Sequence, residues 1–322
     1  MMDNDLLDPF ERLIEDQCSS VAIRAIESGD GLGELWSAVD DSGFLDALVP
    51  EKADGAGLSL NDIAPLLQVL GRFAAPAPIA ETMVARALLA EAGFPSPSGP
   101  IVLAAGPGPV PLGLVAEHAL IDTGHELVLT ALGSPRATGV HHSLAAFPPK
   151  PQGSGFARPS GGLRPISAVL RACAIAGAAD RLLSMTIDYA NERVQFGKPI
   201  GKQQIIQQQL AVMAEQAVAC RIAAQLGCSA GFPPLLAAAA TAKQVTSRAA
   251  AEIANIAHAV HGAIGISEEF DLQLYTRRLH EWRLADGSED YWARLLGQQR
   301  LEAAGIASVD FVRRQIFAGE PI

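Results

Sequence analysis

Apolar residues recur at every third and fourth position along the first third of the chain. The stretches "DPFERLIEDQ", "GLGELWSAVDDSG", "LNDIAPLLQVLGRFA" and "IAETMVARALLAEAG" all carry this period, which predicts amphipathic helices. Ser59, Asn61 and Asp62 supply capping chemistry at the start of the third stretch. Gly43 and Gly71 read as helix stops, and "VPEKADGAGLSL" as a turn-rich connector. From residue 96 the period changes. "SPSGPIVLAAGPGPVPLG", "HALIDTGHELVLTAL" and "LAAFPPKPQGSG" hold short apolar runs between Gly and Pro, a signal of strands and turns. "ALIDTGHELVLTAL" is the clearest hairpin. The helical period then returns in longer runs: "ISAVLRACAIAGAADRLLSMTIDYANERVQ", "QQIIQQQLAVMAEQAVACRIAAQLG", "PPLLAAAATAKQVTSRAAAEIANIAHAVHG" and "SEDYWARLLGQQRLEAAGI". Four long helices with short connections predict an antiparallel bundle. The expected fold class is therefore mostly α with a small β domain. The expected division is a helical domain over 1–95, a short middle β domain over 96–162 and a four-helix bundle over 163–322.

Composition narrows the functional classes. The 322 residues are 49% hydrophobic and 18% charged, as in a folded globular chain. A net charge of −11 speaks against a nucleic-acid partner, which needs a basic face. Cys18, Cys173, Cys220 and Cys228 show no C-x-x-C spacing. The acidic start "MMDNDLLDPFERLIEDQ" lacks a cationic and apolar leader pattern. No apolar run is long enough for a membrane span. Reduced thiols and a cytoplasmic location are the expectation.

Three stretches could carry chemistry. In "RVQFG", Arg193 near a helix end suits the helix dipole, Phe196 suits a core plug and Gly197 suits a turn. The same residues could instead offer a guanidinium fork to phosphate and an apolar wall to a flat ring. In "AVHGAIGISEEFDLQLYTRRLHEW", Gly262 and Gly265 either end a helix or let backbone N–H groups approach a ligand. His258 and His261 stand three apart, but no carboxylate or Cys pattern completes a metal site there, so no metal is expected. In "RLADGSEDYW", Ser288 or Asp286 caps the following helix, or Asp286 presents a carboxylate to a substrate on a tight turn. Glu289 and Asp290 suit the dipole of that helix.

The order of these stretches, together with the N-terminal text, resembles the acyl-CoA dehydrogenases, which are FAD-dependent. "LWSAVDDSGFLDALVPEKADGAGLSLNDIAPLLQVLGRFAAPAPIAET" looks like their N-terminal helical domain. "YANERVQFGKPIGKQQIIQQQLAVMA" resembles their R-x-x-F-G-x-x-I…Q…LA-x-M signature, and "HGAIG" their H-G-G-x-G stretch. The likeness covers residues 30–95 and 165–300 well and the middle poorly. It implies α,β-dehydrogenation of an acyl-CoA thioester by a three-domain, oligomeric flavoprotein. A carboxylate removes the α-proton and the flavin takes the β-hydrogen. Electrons then pass to an acceptor such as electron-transfer flavoprotein. It also implies that Arg193, Gln195, Phe196 and Gln204 meet the nucleotide of a neighbouring subunit's FAD, with Gly262 and Gly265 nearby. Asp286 falls at the position of the base and Ser288 beside it.

The sequence departs from the family pattern in several places. The base turn of the family reads E-G-T/S, whereas this chain has Asp286-Gly287-Ser288. Asp is shorter by about 1.3 Å, a misplacement that can cost ~100-fold. The alternative base position falls on Ser167, and a usual Gln is Ala259. No T-E-P or W-I-T/S stretch is present in the middle segment, which is short. These losses resemble the shortened subunits of heteromeric acyl-CoA dehydrogenases that act on steroid side chains or other bulky acyl-CoAs. The two readings implied are an acyl-CoA dehydrogenase subunit that shares FAD with a partner, and a non-catalytic structural subunit of such an assembly. A self-sufficient homo-oligomer is disfavoured by the short β segment.

Overall fold

The computed structural model describes residues 4–229 and 231–317. The extreme ends of the first and last expected domains lie outside the described residues. The N-terminal part is helical: α1 (Asn4–Gln17), α2 (Ser20–Glu27), α3 (Gly33–Asp41), α4 (Leu60–Arg72) and α5 (Ile79–Glu91). Helix α4 starts at a reciprocal cap. Ser59 Oγ accepts from the Asp62 N–H, and Asp62 accepts in turn from the Ser59 N–H. Gly43 follows α3 with a left-handed φ of 76°, as a stop should. Gly71 does not stop a helix. It lies buried inside α4, where an added Cβ would sit 2.0 Å from the carbonyl oxygen of Ala174. Its absent side chain serves helix contact rather than chain reversal.

The middle segment holds β1 (Ile101–Ala104), β2 (His118–Asp122), β3 (Glu126–Ala131), β4 (Arg136–Ala137), β5 (Ala146–Phe147) and β6 (Gly155–Ala157). β2 and β3 form the expected hairpin, paired from His118↔Ala131 to Asp122↔Leu127. The main sheet runs β1-β2-β3-β6, with β1 parallel to β2 and the other pairs antiparallel. A parallel pair needs a crossover, and the connection between β1 and β2 provides it. β4 and β5 form a separate two-stranded piece. Thr82 of α5 joins the helices to this sheet, since its Oγ accepts from the Ile101 N–H at 2.9 Å.

The C-terminal part contains α6 (Leu163–Glu192), β7 (Val194–Gln195), β8 (Lys198–Pro199), α7 (Gln204–Ser229), α8 (Leu236–His261), α9 (Leu272–Leu284), α10 (Glu289–Glu302) and α11 (Ser308–Phe311), the last running into a π turn. Helices α6, α7 and α8 pack on one another, and α9 and α10 both pack on α8. Two shorter helices therefore complete the bundle where one was expected. The stretch "LQLYTRRLHEWRL" of α9 mixes Arg277, Arg278, His280, Glu281 and Arg283 into its turns, which hides its apolar stripe. Asp122 anchors the start of α6, accepting from the Leu163 N–H at 3.0 Å and from Arg158 at 2.8 Å. Against the burial that would raise it, these bonds and one from the Gly124 N–H hold its carboxyl below the usual range. Among the described residues no helix is long and apolar enough to cross a membrane.

The N-terminal helices and the bundle meet where α4 crosses α6. Gly177 of α6 lies so close that an added Cβ would be 1.8 Å from the Gln68 carbonyl oxygen and 2.8 Å from the Arg72 nitrogen. Gly177→Ala gains about 1 kcal/mol of helix propensity but must push two helices apart. Overpacking costs typically ~1–3 kcal/mol, and backbone atoms cannot rotate away as a side chain can. We expect Gly177→Ala to lower stability by up to about 2 kcal/mol in urea unfolding. An unchanged midpoint would show that the helices separate freely.

Candidate functional site

A cleft of about 730 Å³ opens beside Asp286. One wall comes from the β1–β2 crossover, with Pro109, Val110 and Pro111, and from the β4–β5 loop, with Val140 and Ser143. The other comes from α9, with Arg277, Glu281 and Leu284, and from the turn that follows it. Asp286 has a left-handed φ of 59° and Gly287 a φ of 112°. Asp tolerates that region better than most side chains. Gly287 is needed sterically as well, because a Cβ there would lie 2.6 Å from the Tyr291 ring and 2.8 Å from Trp292 Nε1.

Beneath this turn lies a buried charge network. Arg171 of α6 donates from Nη1 to Glu81 of α5 at 2.5 Å and from Nε to Asp286 at 3.4 Å. The Arg171 and Glu81 side chains are 4% and 3% exposed, and that of Asp286 is 11% exposed. Burial works against the guanidinium charge, yet Glu81 and Asp286 together hold its pKa above the ordinary value. Lys243 of α8 is wholly buried on the other side of the turn. Its ammonium donates to Ser247 Oγ at 2.8 Å, to the Arg283 carbonyl at 2.8 Å and to the Gly287 carbonyl at 2.9 Å. Burial pushes Lys243 down to about 7, opposed by the charge of Asp286. Glu281 faces the same cleft and accepts from Ser143 Oγ at 3.3 Å. Burial raises its carboxyl, with Arg278 and Arg171 opposing.

The other expected site residues lie elsewhere. Arg193 caps the far end of α6 and leads into the β7–β8 hairpin. The stretch "RVQFG" is thus a strand pair rather than a helix-to-helix turn, and Phe196 does not plug the core. Phe196 and Gly197, with φ values of 53° and 76°, form the two-residue tip, the twist that a tight hairpin prefers. Phe196 is 93% exposed. Arg193, Gln195 and Gln204 are also exposed, and Arg193 has no carboxylate partner among the described residues. Helix rise puts Arg193 roughly 30 Å along α6 from Arg171. Gly262 ends α8 with a φ of 63°, and Gly265 packs against His261 and Leu272. Ser288 caps α10, accepting from the Tyr291 N–H. The structure thus gathers Asp286 and Ser288 at the cleft turn, and Arg193, Gln195 and Phe196 on the distant hairpin. His258 bonds Thr276 and His261 bonds the Ala257 carbonyl.

Sequence reasoning missed Glu81, Arg171, Lys243 and Glu281. The signal was available for the first three, each a charged residue inside an otherwise apolar helical run. Lys243 stands in "AAAATAKQVTS", where no acidic residue is at hand to pair with it.

Comparison with known proteins decides the family. A family model described as "Acyl-CoA dehydrogenase, C-terminal domain" matches residues 153–301. Acyl-CoA dehydrogenase IpdE2 of Mycobacterium tuberculosis is 30% identical over 281 residues, covering 83% of this chain and 87% of that protein. The chain belongs to the acyl-CoA dehydrogenase family. The oxidoreductase class of the family, acting on CH–CH groups, comes with that membership. Acyl-CoA dehydrogenase FadE34 of M. tuberculosis is also 30% identical, over 93% of this chain but only 48% of its own length. Among solved structures, the fold matches a chain of the ChsE4–ChsE5 complex from M. tuberculosis, with a TM-score of 0.77, 22% identity and coverage of 94% and 98%. It matches a variant of the Tcur3481–Tcur3483 steroid acyl-CoA dehydrogenase with a TM-score of 0.79, 23% identity and the same coverage. The fold class of the family, mostly α with a small sheet domain, is thereby shown for this chain.

Lys243 binds carbonyls on both sides of the Asp286 turn, so it fixes that turn. Removing it leaves the Gly287 carbonyl without its partner and the Arg283 carbonyl with Ser247 Oγ alone, and an unsatisfied buried group costs ~1–3 kcal/mol. Its depressed pKa also sets a pH dependence. Below about pH 7 the lysine is charged whether the chain is folded or unfolded. Between there and the ordinary lysine value only the unfolded chain holds the proton, so stability rises with pH by at most about 1.4 kcal/mol per unit. We expect Lys243→Met to be less stable at pH 7 and to lose this alkaline rise, measured by urea unfolding from pH 7 to 10. A variant with the wild-type slope would contradict it.

Proposed function

We propose that this chain is one subunit of a heteromeric, FAD-dependent acyl-CoA dehydrogenase, lending its hairpin to a flavin nucleotide seated mainly on a partner subunit. The observation that carries the reading is the exposure of "RVQFG". A Phe that is 93% exposed on a tight turn, beside a guanidinium with no carboxylate partner among the described residues, offers an apolar face and a phosphate-binding fork, a fitting arrangement for half a binding site. In the assembly Arg193 would meet phosphate oxygens, Phe196 would wall the nucleotide, and Gln195 and Gln204 would add hydrogen bonds. Gly262, Gly265 and Ser288 are second-rank candidates, since cap geometry and packing already account for them. The FAD, when bound, supplies the acceptor for the β-hydrogen of the thioester. An external acceptor such as electron-transfer flavoprotein would complete turnover.

The alignment with FadE34 supports pairing, because this chain accounts for about half of that protein's length. The titles of the ChsE4–ChsE5 and Tcur3481–Tcur3483 structures name paired subunits, and the second names a steroid acyl-CoA dehydrogenase. The second title supports a bulky, ring-bearing acyl-CoA as the substrate class. Asp286 holds the family position of the base. Its pairing with Arg171 supports a second role, fixing the turn between α9 and α10, and we assign it that role with the base supplied by the partner. The remaining reading, a purely structural subunit, is favoured by the same ion pair and separated by the hairpin test.

Two variants of the assembled enzyme test these assignments. Arg193→Ala with Phe196→Ala removes charge-assisted bonds worth ~1.5–3 kcal/mol, so FAD affinity of the assembly should fall roughly 10- to 100-fold while the chain keeps its own stability. Unchanged flavin content would leave a structural role only. Asp286→Asn should change turnover less than about tenfold and lower the melting temperature, whereas loss of a general base costs ~10²–10⁴-fold. A loss in that range would make Asp286 the base.

A further inference from the structure

We propose that His141, His142 and Glu268 form a divalent transition-metal site that clasps the β4–β5 loop, one wall of the cleft, to the segment leading into α9. The three residues offer one donor atom each, and these atoms all lie within 4.8 Å of one another. His142 Nε2 is 3.4 Å from Glu268 Oε1, and the two imidazole rings are 3.6 Å apart. Zinc binds His nitrogen and carboxylate oxygen at about 2.0–2.2 Å in a tetrahedron, which spaces donors ~3.4 Å apart. The His142–Glu268 pair already has that spacing, and a side-chain rotation brings in the exposed His141. Two imidazoles and one carboxylate leave a fourth position for water, the donor set of an open zinc site.

The backbone on each side of the cluster is held from outside it. His142 has a left-handed φ of 59°, and its carbonyl accepts from Arg277 Nη1 at 3.0 Å. Arg277 is itself paired with the buried Glu27 at 2.9 Å. The Glu268 carbonyl accepts from Arg24 at 3.1 Å, and Arg24 is paired with Asp271 at 2.8 Å. Both arms of the site are thus presented by fixed backbone, although 126 residues separate His142 from Glu268. Thr138, Val140, His141 and Ser143 all line the cleft. An ion at this place would fix that wall against α9 without touching Asp286 or the hairpin. The site is independent of the proposed flavin chemistry.

The test is a titration of the untagged, chelator-treated full chain with zinc chloride by calorimetry, and with cobalt chloride by visible absorption. The site requires one equivalent of zinc bound in the micromolar range or tighter, cobalt bands of a four-coordinate ion, and a melting temperature that rises with zinc. His141→Ala with Glu268→Gln alters exposed side chains and leaves the His142 backbone alone, so it should fold. It should bind zinc at least tenfold more weakly and lose the cobalt bands. Zinc affinity equal in wild type and variant, or no binding by the wild type at 100-fold excess over a ~1 µM site, overturns the proposal and leaves His142–Glu268 as an ordinary hydrogen bond.

Discussion

The Arg171 guanidinium is the point at which the N-terminal helices, α6 and the cleft turn are joined. It is buried, and a buried charge is tolerated only when paired and hydrogen-bonded. Glu81 reaches it from the N-terminal helices and Asp286 from the turn after α9. One cation therefore ties α5, α6 and the cleft turn together. Breaking such a pair exposes the partner to a cost of several kcal/mol, so the geometry of the turn and the docking of the N-terminal helices are set jointly. Lys243 repeats the logic from α8 with backbone carbonyls as partners.

This arrangement divides the molecule into two working ends. At one end the cleft carries carboxylates that are held by Arg171, Ser143 and their surroundings. At the other end the β7–β8 hairpin presents Arg193 with no carboxylate partner among the described residues and Phe196 to solvent. The same helix, α6, connects both. On the proposed reading, the hairpin end is the one that meets a partner. At the committed end the Asp286 carboxylate has a task, holding Arg171, that asks for a position and not for reach to a substrate.

The fold was legible in the sequence wherever burial imposed a period. Helices α4 to α8 and the β2–β3 hairpin follow directly from the spacing of apolar residues. The failures are local and physical. Gly71 looked like a stop because a glycine ends helices more often than it admits a neighbouring backbone. The "RVQFG" hairpin looked like a helix end because strands of two residues carry no period. Helix α9 was obscured by its charged residues, of which Arg277, Arg278 and Arg283 are held in ion pairs. The turn that carries Asp286 was readable in the sequence, but its partner Arg171 lies 115 residues away and Glu81, the other partner of Arg171, lies 90 residues from that arginine, and such pairings leave no trace in local spacing. The same holds for His142 and Glu268.

The central claim is that the flavin site is shared between unlike chains. Flavin stoichiometry measures it most directly: the chain purified alone, its partner subunit alone, and the reconstituted assembly, each assayed for FAD per polypeptide. A shared site requires a colourless lone chain and one FAD for each pair of unlike chains. A lone chain that holds a full equivalent of FAD, or an assembly with one FAD on every chain, would contradict it.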